Sequence, residues 1–272
     1  MTDTALESVL RRDRAIVVAA LAALTILAWA DLAWLADDMK MDGMDMTGFR
    51  MIPAGQGLMM PASAPWQPIE FGYVFAMWVV MMIGMMTPSV APMILTYARV
   101  GRQAATQGKP FAASGWFAAG YLLAWMAFSA AATALQWALE RAALLTPMMA
   151  SVSNILGAIV LILAGLFQWT PLKEACLSFC RSPLLFIQSQ GGFRREPGGA
   201  LALGFRHGIY CIGCCWALMA LLFVGGIMNL LWIAALAILV LVEKVVPFGW
   251  VIARLAGLVF IAAGVWLLMQ RS

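Results

Sequence analysis

The chain is a succession of apolar runs, most of them near the roughly 20 residues that one helical crossing of a bilayer takes. That pattern excludes most soluble folds. Seven runs can be drawn, at 15–35, 69–97, 111–137, 148–169, 200–223, 230–246 and 250–269. A bilayer admits only helices or closed barrels. The runs are continuous and lack two-residue alternation, which selects helices. The expected fold is all-α, a polytopic transmembrane helical bundle of about seven spans. Composition agrees: 64% of the residues are hydrophobic and 11% charged, against about half and about a quarter in soluble domains.

The first run raises a question of processing. "AWAD", Ala28 to Asp31, has the small-residue pattern of a signal-peptidase site. The apolar run continues past it through "LAWLA", which favours an uncleaved anchor over a six-span product. The chain then divides into a tail and first span (1–36), a Met-rich loop (37–68) and a membrane domain (69–272). The polar segment 170–199 interrupts the membrane domain.

Lysine and arginine placement sets the orientation. With a cytoplasmic N-terminus, 13 of the 17 basic residues fall inside, and Lys40, Arg50, Arg141 and Arg271 fall outside. Segment 37–68 is then extracytoplasmic and segment 170–199 cytoplasmic. The expected location is a bacterial inner membrane, with the bilayer as the first partner. A net charge of +4 gives no reason to expect nucleic acid.

Reactive groups gather in "HGIYCIGCCW", residues 207–216, which holds the only histidine and three of five cysteines. Residues three and four apart share a helix face, so His207, Cys211, Cys214 and Cys215 form a stripe with Cys215 furthest round. Cys176 and Cys180 are also four apart, in "KEACLSFCR", bracketed by Pro171 and Pro183. Thiolates and imidazole in this company suit copper as Cu(I), with zinc as the second choice. Any single buried cysteine is an ordinary small apolar residue; the set points to a metal. A redox thiol pair is the competing chemistry. Glu243 sits near a span, where a carboxylate is a functional-site hypothesis. It would ligate metal or orient the imidazole; the bland alternative is neutralisation by Lys244 or Arg254.

Methionines supply a second set of soft donors. Met39, Met41, Met44 and Met46 lie in "DMKMDGMDM", followed by Met51, Met59 and Met60. Thioethers in an Asp-containing outer loop suit collection of Cu(I), because they need no deprotonation. In the second run Met77, Met81 and Met85 follow four-residue spacing, beside Met82 and Met86 and before Met93. The bland reading of such a stripe is packing; the sharper one is a relay, with Met81 and Met85 at its centre. Pro88 and Pro92 in "TPSVAP" predict a break in this helix.

"AMWVVMMIGMMTPSVAPMILTYAR", "QWTPLKEACLSFCRSPLLF" and "GFRHGIYCIGCCWALMALLFVGGIMNLLWIAALAILVLVEKVVPFG" together resemble a bacterial family of predicted metal-binding integral membrane proteins, a domain of unknown function. The resemblance covers about residues 70–265 and places Cys176, Cys180, His207, Cys211, Cys214, Cys215 and Glu243 at matching positions. It implies a helical membrane protein with a metal site and supplies no reaction. The leading expectation is a protein that transports Cu(I) or delivers it to a metallochaperone or membrane enzyme subunit. A membrane oxidoreductase is less favoured, since one histidine is too few for haem or multi-histidine copper sites. An assembly subunit or metal sensor is the remaining alternative.

Overall fold

The computed structural model describes residues 3–39, 49–54, 58–108, 111–146 and 149–270. Among the described residues it is helical apart from one small hairpin and an isolated bridge between Leu145 and Ser151. The long helices are α1 (Asp3–Asp38), α2 (Pro68–Thr106), α3 (Ser114–Arg141), α7 (Pro197–Ala220) and α10 (Gly249–Met269). Between them lie α4 (Asn154–Phe167), α5 (Pro171–Arg181), α6 (Pro183–Ser189), the single turn α8 (Leu222–Gly225) and α9 (Leu230–Val245). Among the described residues, five helices are long and apolar enough to cross a membrane, or six if α4 and α5 form one span bent by 65°. The run expected as a sixth span becomes α9, with 16 residues, about 24 Å at 1.5 Å per residue. That is short of a hydrocarbon core about 30 Å thick.

Segment 37–68 contains structure that its sequence did not suggest. Strands β1 (Phe49–Met51) and β2 (Met59–Pro61) pair antiparallel, with Arg50 opposite Met60. Three-residue strands are too short to show a two-residue period. Arg50 pins the hairpin to the start of α2: its guanidinium meets the Glu70 carboxylate at 2.7 Å and donates to the carbonyls of Pro61 and Ala64. The other Glu70 oxygen accepts from the Gln67 backbone N–H, completing a capping box behind Pro68.

The expected break in α2 does not occur; Pro88 and Pro92 lie inside one continuous helix. Pro88 has no N–H to offer the carbonyl of Gly84, four residues back. Trp29 of α1 takes its place, its indole N–H donating to the Gly84 carbonyl at 3.2 Å.

Helices α3 and α7 pack backbone to backbone. A Cβ on Gly120 would overlap the Leu201 carbonyl, and one on Gly204 would overlap the Phe117 carbonyl. Gly208 meets Ala124 in the same seam. Small residues of this kind let membrane helices approach closely. Here they bring Tyr121 of α3 against the cysteine stripe of α7.

Candidate metal centre

The inward face of α7 carries His207, Cys211, Cys214 and Cys215, each no more than 2% exposed. Spacings of three and four residues put them on one face, as the sequence suggested. Helix α7 begins at Pro197, so the imidazole sits about 15 Å along it at 1.5 Å per residue.

Helix α5 faces this stripe. Cys180 Sγ lies 4.0 Å from Cys214 Sγ. Cys176 reaches α7 where Gly213 leaves room; a Cβ there would stand 2.9 Å from Cys176 Sγ. Cys214 and Cys215 both donate to the Cys211 carbonyl, at 3.1 and 2.9 Å. The Cys211 thiol has polar neighbours instead. Tyr121 Oη stands 3.1 Å away and Lys244 Nζ 2.9 Å away. Lys244, on α9, also donates to Ser89 Oγ of α2 at 3.1 Å. Five helices therefore converge here: α2, α3, α5, α7 and α9.

His207 sits in an aromatic niche. Phe186, Phe117 and Tyr121 surround it, with ring centroids 4.8, 5.8 and 5.9 Å from its own. Its Nδ1 is buried without a hydrogen-bond partner. Glu243 pairs with Lys173 of α5 at 2.7 Å, both side chains 2% exposed, and Lys173 also bonds the Gln168 side-chain carbonyl. One Glu243 oxygen and the Gln168 amide nitrogen are buried without partners. The ion-pair partner of Glu243 is thus Lys173, which the bland alternative did not name: Lys244 bonds Cys211, and Arg254 lies 3.7 Å from Glu174. The far end of α5 is tied down as well, because Arg181 donates to the Val246 carbonyl at 3.0 Å and to that of Pro247.

Among the described residues, no group of three or more His, Cys, Asp or Glu side chains already stands at metal-holding geometry. The thiols form a loose cluster that a shift of α5 against α7 would have to tighten. Free thiols at all five cysteines suit that arrangement.

On α2, Met77, Met81, Met82, Met85, Met86 and Met93 are all buried. The Met86 carbonyl lies 3.5 Å from Tyr121 Oη, the group that touches Cys211. The outer-loop methionines were expected to be exposed. Met39, just past α1, and Met51, in β1, are instead buried in the core, at 1% and 2% exposure. Met41, Met44 and Met46 lie outside the described residues.

Lys173, Tyr121 and Ser89 were missed in the sequence, and so was the contact of Lys244 with Cys211. The two lysines had a signal, since each is a cation beside an apolar run, but both read as cytoplasmic loop charges. Tyr121 and Ser89 carried none.

A helical protein whose soft sulfur donors converge in a dry interior is suited to handling a soft metal. The chain belongs to the PpoB2 family of copper chaperones, whose model matches residues 75–267. The matched stretch contains every cysteine, His207, Glu243 and both buried lysines, and it excludes α1 and the hairpin. No curated protein and no solved structure matches the chain.

Proposed function

We propose that this chain is a membrane-embedded chaperone that takes up Cu(I) at Cys180, Cys211 and Cys214 and delivers it to a partner protein. The supporting observation is the Cys180–Cys214 approach beside Cys211, on helices held together around a buried lysine. Two or three thiol sulfurs suit Cu(I), whereas structural zinc takes four ligands. Copper replaces thiol protons as it binds. Lys244 then remains as a positive neighbour for an anionic copper–thiolate group. Cys176 and Cys215, one on each flank, are the exchange ligands through which the ion enters or leaves. His207 and Glu243 are supporting residues: one fills an aromatic niche beside the site, the other fixes α5.

The buried methionines of α2 lead from the hairpin end toward Met86 and Tyr121, and we assign Met77, Met81 and Met85 to a thioether route into the site. The exposed apolar faces of α1 and α10, including Leu27, Trp34, Val259 and Trp266, support a lipid environment. The basic-residue asymmetry supports a cytoplasmic N-terminus, an outer hairpin and a bacterial inner membrane.

Copper stoichiometry and X-ray absorption on protein purified without chelators provide the test. Sulfur-only scattering around Cu(I), lost in Cys180→Ser, Cys211→Ser and Cys214→Ser, is the expected result. Full copper in all three variants would sink the site. Copper flux across proteoliposomes, in the absence of any acceptor protein, would replace delivery with transport.

A further inference from the structure

A second site lies where α6 turns into α7. A recess of about 470 Å³ opens there, lined by Phe193, Arg194, Arg195, Glu196, Leu203 and Arg206, among others. Three guanidinium groups face it against one carboxylate. Two of them are fixed by the same residue: Arg194 donates to the Gln190 backbone carbonyl at 2.5 Å, and Arg206 donates to the Gln190 side-chain oxygen at 3.0 Å. The stem of Arg194 rests on Gly199, where a Cβ would stand 3.2 Å from the Arg194 Cβ. Arg195 makes no hydrogen bond or ion pair among the described residues. The N-terminus of α7 also lies here, its first turn without an acidic residue, and its dipole partly offsets the Glu196 carboxylate at the N-cap.

An apolar track leaves this recess. Ala202 lines its wall, and Phe205, Ile209 and Trp216 follow at helical spacing on the same side of α7. All three are exposed, Ile209 by 53%. Leu184 and Leu185 of α6 are also half exposed. A basic recess that opens onto an apolar helix face matches a ligand with an anionic phosphate head and a hydrocarbon tail.

We infer that this recess binds the phosphate of an anionic phospholipid, with Arg194, Arg195 and Arg206 on the headgroup and the Phe205–Ile209 face along an acyl chain. The inference rests on the membrane-embedded reading and is independent of copper. The bound lipid would seat the start of α7 at the bilayer surface, about three turns from His207 and the thiols beyond it.

Native mass spectrometry of the full chain in detergent tests this. The probes are phosphatidylglycerol, phosphatidylcholine and inorganic phosphate. Preferential retention of phosphatidylglycerol over phosphatidylcholine, by about tenfold or more, is expected. Arg195→Gln and Arg206→Gln together should reduce that preference to about unity, while copper stoichiometry stays at the wild-type value. The single Arg195→Gln change touches no other residue and should lower the preference partway. Inorganic phosphate that binds the wild type, with no lipid preference, would assign the same arginines to a free anion and overturn the lipid. Equal lipid preference in wild type and double variant would overturn the site. Loss of copper from the wild type with the lipid preference intact would instead count against the chaperone reading.

Discussion

The thiols of α7 and the thioethers of α2 are equally buried but keep different company. Cys211 meets an ammonium and a phenol, the ammonium is held in turn by the Ser89 hydroxyl, and the buried ion pair Lys173–Glu243 joins the same helices α5 and α9. Met77, Met81, Met82 and Met85 sit in an apolar core, with Trp78 as their polar neighbour through its bond to Gln136 at 2.8 Å. The contrast follows from donor chemistry. A thiol must lose a proton to hold a metal, so charge builds up and needs a counter-ion nearby. A thioether binds without any change of charge and needs none. On the proposed reading, the thiol region holds an ion and the methionine region lets one pass.

The charged side of this comparison should be the more fragile. Lys173→Met leaves Glu243 buried and unpaired, and breaking such a pair costs about 3–5 kcal/mol. Thermal unfolding in detergent should show that loss, and Lys173→Met with Glu243→Leu together should recover most of it. A single variant as stable as wild type would mean that α5 is held by Arg181 and Gly213 packing alone.

Retention of metal should depend on the thiols. Cys211→Ser with Cys214→Ser should weaken Cu(I) binding on the order of 100-fold, about 2.7 kcal/mol. Competition with a chromogenic Cu(I) chelator measures it. Unchanged affinity would move the holding site to the methionines and reverse the roles of the two regions.

How far these regions could be read in advance differs for the same reason. Four-residue spacing placed the α7 cysteines on one face and Cys176 and Cys180 on one short helix, because helical periodicity is local. The all-helical fold followed from the apolar runs. The partners of those groups were out of reach. Lys244 meets Cys211 from 33 residues away and Lys173 meets Glu243 from 70, and no local period encodes such pairings. The aromatic enclosure of His207 has a similar origin: Phe117 and Phe186 come from other helices. The continuity of α2 was hidden because its missing donor is supplied by Trp29, 55 residues before Gly84.

The methionine side should tolerate change in stability while showing it in kinetics. Met81→Leu with Met85→Leu conserves volume and shape, so each should cost less than about 1.5 kcal/mol. Equilibrium Cu(I) affinity should stay within about threefold, because the thiols set it. The rate of copper loading from the hairpin side, followed by stopped-flow transfer from a Cu(I) complex, should fall. Affinity and rate that drop together would make Met81 and Met85 ligands of the holding site; a rate that does not change would reduce them to packing.

The smallest effect should come from the residue that keeps α2 continuous. Trp29→Phe retains most of the ring but removes the indole donor, which leaves the Gly84 carbonyl exposed opposite Pro88. The loss of one such bond is worth about 1 kcal/mol, visible as a small drop in thermal stability. The structural consequence lies further along. Met86 and Ser89 flank Pro88, and their positions set the contacts of Tyr121 and Lys244 at the Cys211 sulfur. A bend introduced at Pro88 would therefore shift Tyr121 and Lys244 relative to Cys211 without altering any thiol. Trp29→Phe should slow copper loading as the methionine pair does, yet leave the sulfur coordination seen by X-ray absorption intact. A changed coordination would mean that the two regions form one site, joined through the proline turn, rather than a route and a destination.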